Sequence, residues 1–317
     1  MEKISFVIPC YRSANSISSV VNEIVNTVKK QAEYTYEIIL VSDHSPDDVF
    51  RVIKQLAVED SNITGIEFSK NFGQHAALMA GYRECTGDII ISLDDDGQTP
   101  ADELFSLVDK INEGYDVVYA SYSSIRQNAF RKWGTKVNAL MMEKLLGKPD
   151  FLDTTSYFAC RSYIVDEIIK YQSAFPYVGG LVFRTTRNIA NVTVKHRERL
   201  GGSSGYNIRR LISLWMNGFT AFSVKPLRIA SFSGAICAIT GFMYGLYIII
   251  HRLLDPTTQI GWSSTMAVML FIGGMLMLML GLIGEYIGRI YICINDSPQY
   301  VIREVINKKD CKVKQAE

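Results

Sequence analysis

The first part of the chain alternates short apolar runs with longer amphipathic segments. Apolar runs of about four to eight residues between turn residues are typical of buried strands, and apolar residues at every third or fourth position are typical of helices. The predicted strands are Ile4–Ile8, Tyr36–Val41, Ile63–Phe68, Asp88–Leu93 and Asp116–Ser121. The predicted helices are Ser16–Lys30, Pro46–Val58, Gln74–Glu84 and Ala101–Asn112. This order predicts an α/β domain with a mostly parallel sheet and helices on both faces.

Beyond the fifth strand the pattern is less regular. The predicted elements are a helix, an irregular segment, a second helix and an edge strand, at Ala129–Leu146, Asp153–Arg161, Ile164–Tyr171 and Asn191–His196. A flexible loop, Gly201–Gly205, comes next. Tyr206–Val224 has apolar residues along one side, which suits a helix lying in the lipid headgroup layer or one packed on the soluble core. We favour the interface because Pro226 and a long apolar stretch follow at once.

Two long apolar stretches lie near the C-terminus, at Ile229–Ile250 and Trp262–Gly284. Each runs for roughly 22 residues, and a helix of that length crosses a hydrocarbon core of about 30 Å. Arginines and lysines flank the pair on its outer sides, whereas Arg252 is the one arginine or lysine in the loop between them. The positive-inside bias therefore predicts a hairpin in the inner (cytoplasmic) membrane with both chain ends in the cytoplasm.

These patterns divide the chain into four parts. The expected parts are a cytoplasmic α/β domain, an interfacial loop with an amphipathic helix, two transmembrane helices and a cytoplasmic tail, at 1–200, 201–226, 227–291 and 292–317. No signal peptide is visible, because the apolar run Ile4–Ile8 is short and ends at Pro9. The N-terminal part is therefore expected to stay in the cytoplasm.

Composition and charge narrow the function classes. The formal net charge of +1 gives no electrostatic attraction for an acidic partner, so no nucleic-acid partner is expected. The six cysteines contain no Cys-x-x-Cys pair, which argues against a zinc site or a disulfide framework and fits a reducing compartment. Glycine pairs four residues apart in the apolar stretches, Gly241/Gly245 and Gly284/Gly288, permit close helix packing and hence a homo-oligomer through the transmembrane helices.

Candidate chemistry follows the predicted strands. Ligands of such sheets bind at the carboxyl ends of the strands, and four polar segments stand there: Pro9–Arg12, Asp43–Pro46, Ser69–Gly73 and Asp94–Gln98. Three adjacent carboxylates, Asp94-Asp95-Asp96, repel one another, and a divalent cation relieves that repulsion. Mg²⁺ or Mn²⁺ commonly uses one or two carboxylates together with substrate phosphates. The alternative is a solvated acidic turn that caps the helix at Ala101.

These motifs resemble those of a known family. The strand-end motifs that resemble the family-2 glycosyltransferases of the GT-A fold are Pro9-Cys10-Tyr11, Asp43-His44-Ser45, Lys70–His75 and Leu93–Gln98. The motifs that look like those of the polyprenyl-phosphate glycosyltransferases are Arg197–Tyr206, Lys225–Arg228 and Gly281–Tyr291. That group includes dolichol-phosphate mannose synthase, bactoprenol glucosyltransferases and undecaprenyl-phosphate formamidoarabinose transferase. The resemblance covers nearly the whole chain.

The resemblance implies roles for individual residues. Those matching the nucleotide-sugar site are Pro9, Tyr11, Asp43, Asn71, Gly73, Gln74, His75, Asp94, Asp95 and Gln98. His75 would be a sugar contact or a cap of the helix at Ala76. Asp94 and Asp96 match the metal motif for Mg²⁺ or Mn²⁺, with Asp96 the direct ligand at the catalytic centre. Asp153 matches an acidic residue near the acceptor, as a base or as an orienting group. The residues suited to an anionic lipid phosphate are Arg126, Arg131, Arg197, Arg199, Ser204 and Tyr206.

The chain departs from the family pattern at several positions. Tyr11-Arg12-Ser13 stands where Tyr-Asn-Glu is usual, and Ser204-Gly205-Tyr206 stands where Ser-Lys-Tyr is usual. Such changes fit an unusual sugar or weakened catalysis. The leading expectation is an inverting, metal-dependent glycosyltransferase that moves a sugar from a nucleotide sugar to a polyprenyl phosphate. The alternatives are a membrane-anchored scaffold that binds nucleotide sugar with little turnover, and a transferase with a different lipid acceptor.

Overall fold

A computed structural model of the chain describes residues 1–122, 148–149, 152–195, 225–254, 261–295 and 297–307. The chain forms two compact units. The first comprises Met1–Arg210 together with Asp296–Glu317, and the second comprises Leu211–Asn295. The first unit therefore takes in residues from both ends of the chain.

The described part of the first unit contains eight strands and six helices, besides a short 3₁₀ turn at Ala101–Glu103. The strands are β1 (Glu2–Cys10), β2 (Tyr34–Ser42), β3 (Ile63–Phe68), β4 (Ile89–Ser92), β5 (Val117–Tyr122), β6 (Phe158–Arg161), β7 (Ile189–Val194) and β8 (Ile302–Ile306). The helices are α1 (Ile17–Val28), α2 (Val49–Glu59), α3 (Gln74–Glu84), α4 (Leu104–Asn112), α5 (Ser162–Ile168) and α6 (Val178–Thr185).

All eight described strands join one sheet, in the order β7-β5-β6-β4-β1-β2-β3-β8. β1 runs parallel to β2 and β4, β2 runs parallel to β3, and β5 runs parallel to β7. β6 is antiparallel to both β4 and β5, and β8 is antiparallel to β3. The expected α/β fold with a mostly parallel sheet is confirmed, and β7 is an edge strand as predicted.

These directions decide which loops meet. β1 to β5 and β7 all point the same way, so their carboxyl ends lie at one edge of the sheet. β6 and β8 point the other way, so the residues that precede them, not those that follow, reach that same edge. We call it the active edge.

The core lies between the sheet and helices on both of its faces. Alternate residues of a strand point to opposite faces, and in β1 Ile4 and Phe6 join the main apolar cluster with the buried side of α1. Val7 points to the other face, where α3 packs with Gly81 directly against it. The predicted helices on both faces are therefore confirmed.

Three segments differ from the sequence expectation. Asp153–Arg161 was expected to be irregular, but its last four residues form β6, which is paired on both sides. Four residues are too few to show a periodicity, so their neighbours decide their conformation. Helix α2 begins at Val49, not at Pro46. The Asp47 carboxylate accepts hydrogen bonds from Ala14 N at 3.0 Å and from Ser45 Oγ at 2.5 Å, and these bonds hold Asp47 in the loop before the helix. Part of the expected tail, 292–317, forms β8.

The second unit contains two long helices, α7 (Lys225–Leu254) and α8 (Trp262–Ile294). Each is long and apolar enough to cross a membrane, with the candidate spans at Ala230–Tyr247 and Phe271–Ile294. The predicted pair of apolar helices is confirmed, although the second candidate span lies further along the chain than expected. Within the described residues, a Cβ added at any of the paired glycines Gly241, Gly245, Gly284 and Gly288 would meet no atom within 4 Å. The homo-oligomer through these pairs stays a prediction.

Gly81 offers a test of the packing between α3 and β1. A Cβ at this position would lie 2.3 Å from Cγ1 of Val7, whose branched side chain has little rotamer freedom. Alanine gains about 1 kcal/mol of helix propensity over glycine, but overpacking a core costs about 1–3 kcal/mol. We therefore expect Gly81→Ala to lower the free energy of unfolding, measured as a lower midpoint of thermal unfolding.

The matched control is Val7→Ala in the Gly81→Ala background. Removing the two methyl groups of Val7 makes room for the new Cβ. The double variant should therefore lose less free energy of unfolding than the sum of the losses in the two single variants. A Gly81→Ala protein that unfolds at a higher temperature than the wild type would contradict this packing.

Candidate active site

The polar segments predicted to cluster do meet at the active edge. Tyr11 N donates to Asp95 Oδ2 at 2.8 Å, which joins the end of β1 to the end of β4. Arg12 N donates to Ser45 Oγ at 2.7 Å, which joins β1 to β2. The predicted site residues that the structure describes all stand at this edge: Pro9, Tyr11, Asp43, Asn71, Gly73, Gln74, His75, Asp94, Asp95, Asp96, Gln98 and Asp153. Their individual roles remain predictions.

Asp43 holds the loop after β3. It is buried, and its two carboxylate oxygens accept hydrogen bonds from Phe72 N at 2.6 Å and Gly73 N at 2.8 Å. Asn71 Nδ2 donates to the Asp43 carbonyl oxygen at 3.1 Å. Burial raises the pKa of Asp43, and the two backbone donors oppose that rise. Gly73 has φ 94°, a conformation that favours glycine, so the loop turns sharply into α3.

The three consecutive aspartates make different contacts. Asp94 accepts hydrogen bonds from Gln74 Nε2 at 3.1 Å and from the Ser156 hydroxyl. Asp96 Oδ1 accepts the backbone N–H of Gln98 at 3.0 Å. Asp95 instead turns back toward β1 through its contact with Tyr11, and burial raises its pKa to about 6. Asp95 thus ties two loops together, and Asp94 and Asp96 are the two of the three aspartates that the predicted metal motif requires.

Asp94 and Asp96 both act electrostatically on one neighbouring phenol. The pKa of Tyr122, at the end of β5, is raised to about 12 by burial and then by the negative charges of these two aspartates. Among the described residues no group of three or more His, Cys, Asp or Glu side chains is arranged to hold a metal ion. Two carboxylates nonetheless fit Mg²⁺ or Mn²⁺ when substrate phosphates supply further ligands.

Asp153 belongs to the segment that leads into β6. Its carboxylate accepts a hydrogen bond from Ser121 Oγ at 2.6 Å, and its backbone is held by Asn191, which accepts from Asp153 N at 2.9 Å and donates to Asp153 O at 2.8 Å. Three residues further on, Ser156 contacts Asp94. The predicted acceptor residue and the aspartate turn are therefore linked through one short segment.

Sequence reasoning missed Ser121, Ser156 and Asn191. Each forms a hydrogen bond with Asp94 or Asp153 at the active edge. A single serine or asparagine, however, forms no recognisable sequence motif. Ser121 was recognisable as the last residue of a predicted strand, and Asn191 as the first residue of another. Their partners became clear only once the order of the strands was known.

His75 lies in the first turn of α3, with Gly73 as the N-cap residue of that helix. Its ring meets the ring of Tyr177 edge-on, with 5.0 Å between centroids. Its Nδ1 is buried and has no hydrogen-bond partner among the described residues. Burial lowers the pKa of His75 to about 4, so the imidazole is neutral at pH 7.

The predicted lipid-phosphate residues fall outside the described residues. They are Arg126, Arg131, Arg197, Arg199, Ser204 and Tyr206. The expected helix Ala129–Leu146, the loop Gly201–Gly205 and the amphipathic helix Tyr206–Val224 lie outside them too. These expectations therefore stay predictions.

The mostly parallel sheet, with an aspartate turn at the edge where its strands end, fits the GT-A class of glycosyltransferases. Residues 5–170 match the model of glycosyl transferase family 2, and residues 225–290 match that of the GtrB C-terminal hairpin. The chain belongs to glycosyl transferase family 2, and it is an enzyme of glycosyl transfer.

Two relatives align over almost the whole chain. An uncharacterized glycosyltransferase, YkcC, of Bacillus subtilis (strain 168) is 33% identical, over 95% of this chain and 93% of its own. The undecaprenyl-phosphate 4-deoxy-4-formamido-L-arabinose transferase of Klebsiella pneumoniae (strain 342) is 32% identical, over 99% of this chain and 97% of its own.

A solved structure shares the fold. Glucosyl-3-phosphoglycerate synthase from Mycobacterium tuberculosis, crystallised with Mn²⁺ and UDP-glucose, superposes with a TM-score of 0.51. The alignment covers 69% of this chain and 77% of that chain, at 17% identity. At that identity the likeness shows the fold alone.

The buried His75 predicts a pH dependence of stability. Its pKa is about 4 in the folded protein against an ordinary 6.5, so the unfolded chain binds more protons between these values. The contribution of the neutral imidazole to the free energy of unfolding is therefore fully present above about pH 6.5. It falls by about 3 kcal/mol as the pH falls toward 4. His75→Phe should remove this component from the midpoint of thermal unfolding measured across that range.

The control is His251→Gln. His251 is an exposed residue of α7 in the second unit, and glutamine suits a helix. This variant should keep the pH dependence of the wild type. If the unfolding midpoint of His75→Phe fell with decreasing pH as steeply as that of the wild type, groups other than His75 would be responsible for the loss of stability in acid.

Proposed function

We propose that this protein is an inverting glycosyltransferase that moves a sugar from a nucleotide sugar to a polyprenyl phosphate, such as undecaprenyl phosphate, on the cytoplasmic face of the inner membrane. One observation carries the proposal. Asp94, Asp96 and the segment of Asp153 stand at one edge of a family-2 sheet, in a chain that also has two membrane-length helices. The names of the formamidoarabinose transferases among the relatives support the acceptor class.

The donor half of the site is built from the loops after β2, β3 and β4. Asp43 fixes the loop that carries Asn71 and Gly73, and this loop would lie beside the nucleotide. Asp94 and Asp96 would hold Mg²⁺ or Mn²⁺ together with the donor's diphosphate. The ion would neutralise the diphosphate as it leaves. Asp95 keeps the loop of Tyr11 in register with the aspartate turn.

The proposed reaction is a single displacement. An oxygen of the lipid phosphate attacks the anomeric carbon from the face opposite the diphosphate. A new C–O bond forms as the bond from that carbon to the nucleotide's terminal phosphate breaks, so the configuration inverts and nucleoside diphosphate leaves. The lipid phosphate is already ionised at neutral pH and has little need of a strong base. Asp153, fixed by Ser121 and Asn191, is suited to orient the acceptor.

The hairpin supplies the membrane location. Helices α7 and α8 are each longer than the roughly 20 residues that span a bilayer. Because basic residues flank the hairpin on its outer sides, the proposed topology places the catalytic unit and both chain ends in the cytoplasm. The donor is then taken from the cytoplasm and the acceptor from the bilayer.

Transfer from radiolabelled nucleotide sugars to undecaprenyl phosphate tests the function directly. We expect transfer from at least one donor of a broad panel with Mg²⁺ or Mn²⁺, and its loss with a chelator. Asp96→Asn should lower kcat by at least about 100-fold, as expected when a charge that supports the leaving group is removed. Glu167→Gln, on the exposed outer side of α5, is the matched control and should keep wild-type activity.

The outcomes separate the candidate functions. A wild-type protein that binds a nucleotide sugar but transfers nothing would be a scaffold. Transfer to another lipid but not to undecaprenyl phosphate would show that the enzyme is a glycosyltransferase with a different lipid acceptor. No transfer from any donor to any lipid would overturn the proposal.

Asp153 has its own test. If it orients the acceptor, Asp153→Asn should lower kcat by roughly tenfold, less than the 10²–10⁴-fold that a general base typically contributes. The dependence of kcat on pH should keep its shape. A loss beyond about 100-fold, together with disappearance of the acid limb of that profile, would identify Asp153 as a base.

A further inference from the structure

The chain returns to the active edge after the hairpin. Helix α8 ends at Ile294 and β8 begins at Ile302. Because β8 runs antiparallel to β3, the residues that precede it lie at the active edge. We call Ser297–Val301 the return segment. Its Val301 carbonyl accepts the backbone N–H of Ser69 at 2.9 Å, directly after β3.

Tyr300 of the return segment is connected to Asp43 through two aromatic rings and one backbone hydrogen bond. Its ring stacks on Phe68 with 5.2 Å between centroids and an angle of 8°. Phe68 is fully buried and meets Phe72 edge-on, with 5.7 Å between centroids. The N–H groups of Phe72 and Gly73 are the ones that bind the Asp43 carboxylate, at 2.6 and 2.8 Å.

The position of Tyr300 is itself fixed by polar contacts. Arg83 donates to the Tyr300 hydroxyl at 2.5 Å and to Gln299 Oε1 at 3.3 Å. The amide nitrogen of Gln299 donates to the carbonyl oxygens of Ser173 and Tyr171 at 2.9 and 3.3 Å. Gln299 is buried, so each of these bonds replaces a contact with water that the side chain has lost.

We propose that Tyr300 is a positioning residue for the nucleotide-sugar donor. Its ring holds Phe68 and, through it, Phe72, so that the backbone donors of the loop after β3 stay aligned on Asp43. The inference rests on the proposed function, because it takes this loop as part of the donor site. It gives the return segment a role in donor binding that the sequence motifs did not indicate.

The strand β8 has other attachments that allow a matched control. Glu304 forms an ion pair with Lys54 at 2.8 Å, and both side chains are largely exposed. Exposed pairs of this kind contribute little to stability. Glu304→Gln therefore removes a side-chain contact of β8 without touching the ring contacts. Tyr300→Leu removes the stacked ring and keeps an apolar side chain. Tyr300→Phe keeps the ring and loses only the hydroxyl.

The experiment compares these three variants with the wild-type full chain in detergent. Hydrogen exchange reports on the Phe72 and Gly73 amides, and calorimetry with UDP, GDP and dTDP in the presence of Mn²⁺ reports on donor binding. For Tyr300→Leu we expect exchange at least about threefold faster and a Kd about threefold to tenfold higher, since an aromatic pair is worth a factor of that size. The KM for undecaprenyl phosphate should not change. Glu304→Gln should behave as the wild type. Tyr300→Phe should fall between the wild type and Tyr300→Leu, because it keeps the stacked ring and loses the hydrogen bond from Arg83.

Other results would overturn the inference. Unchanged exchange or an unchanged Kd in Tyr300→Leu would show that the ring does not position the loop. An equal rise in donor Kd and lipid KM, with a lower midpoint of unfolding, would show a general structural role. The same Kd change in Glu304→Gln would assign the effect to β8 as a whole. A wild-type protein that bound none of the three nucleotides and transferred sugar from no donor of the panel would instead reject the proposed function.

Discussion

The common direction of six strands is the constraint on which the site depends. Parallel pairing of β1 with β2 and β4, and of β2 with β3, sends four successive loops to one edge of the sheet. The loops arrive there with backbone N–H groups that no strand partner satisfies. Carboxylates meet this need, since the buried Asp43 accepts two such groups and the half-buried Asp95 accepts one. Some of the acidic residues at this edge are therefore needed as hydrogen-bond acceptors for the loop backbone.

The acids at this edge divide into two kinds by their partners. Both carboxylate oxygens of Asp43 accept hydrogen bonds from backbone N–H groups. These N–H groups cannot move unless the whole loop moves. The contacts of Asp94 with Gln74 and Ser156, and of Asp153 with Ser121, come from side chains that can rotate. Rotatable partners can yield to a ligand at small cost. The second kind is therefore better suited to exchange its contacts for a cation or a substrate.

The sequence was sufficient for the elements whose own pattern decides their structure. β1 to β5 contain apolar runs between turn residues, and the helices between them have apolar residues at helical spacing. The aspartate turn is visible because three acids adjoin. β6 and β8 were missed for a different reason. β6 is a four-residue strand, and β8 pairs at an edge where its residues stay largely exposed, so neither shows a buried periodicity. Tertiary pairing creates such elements, and local pattern cannot reveal them.

The placement of β8 changes the meaning of the hairpin. The first unit includes Asp296–Glu317 as well as Met1–Arg210, so along the sequence the hairpin is an insertion within this unit. A chain that ended before the hairpin would leave β3 without its outer neighbour and expose its unpaired backbone groups. It would also lose Tyr300, the stacked partner of Phe68, a buried residue at the end of β3. The two candidate spans and the strand that completes the sheet therefore belong to one continuous stretch of chain.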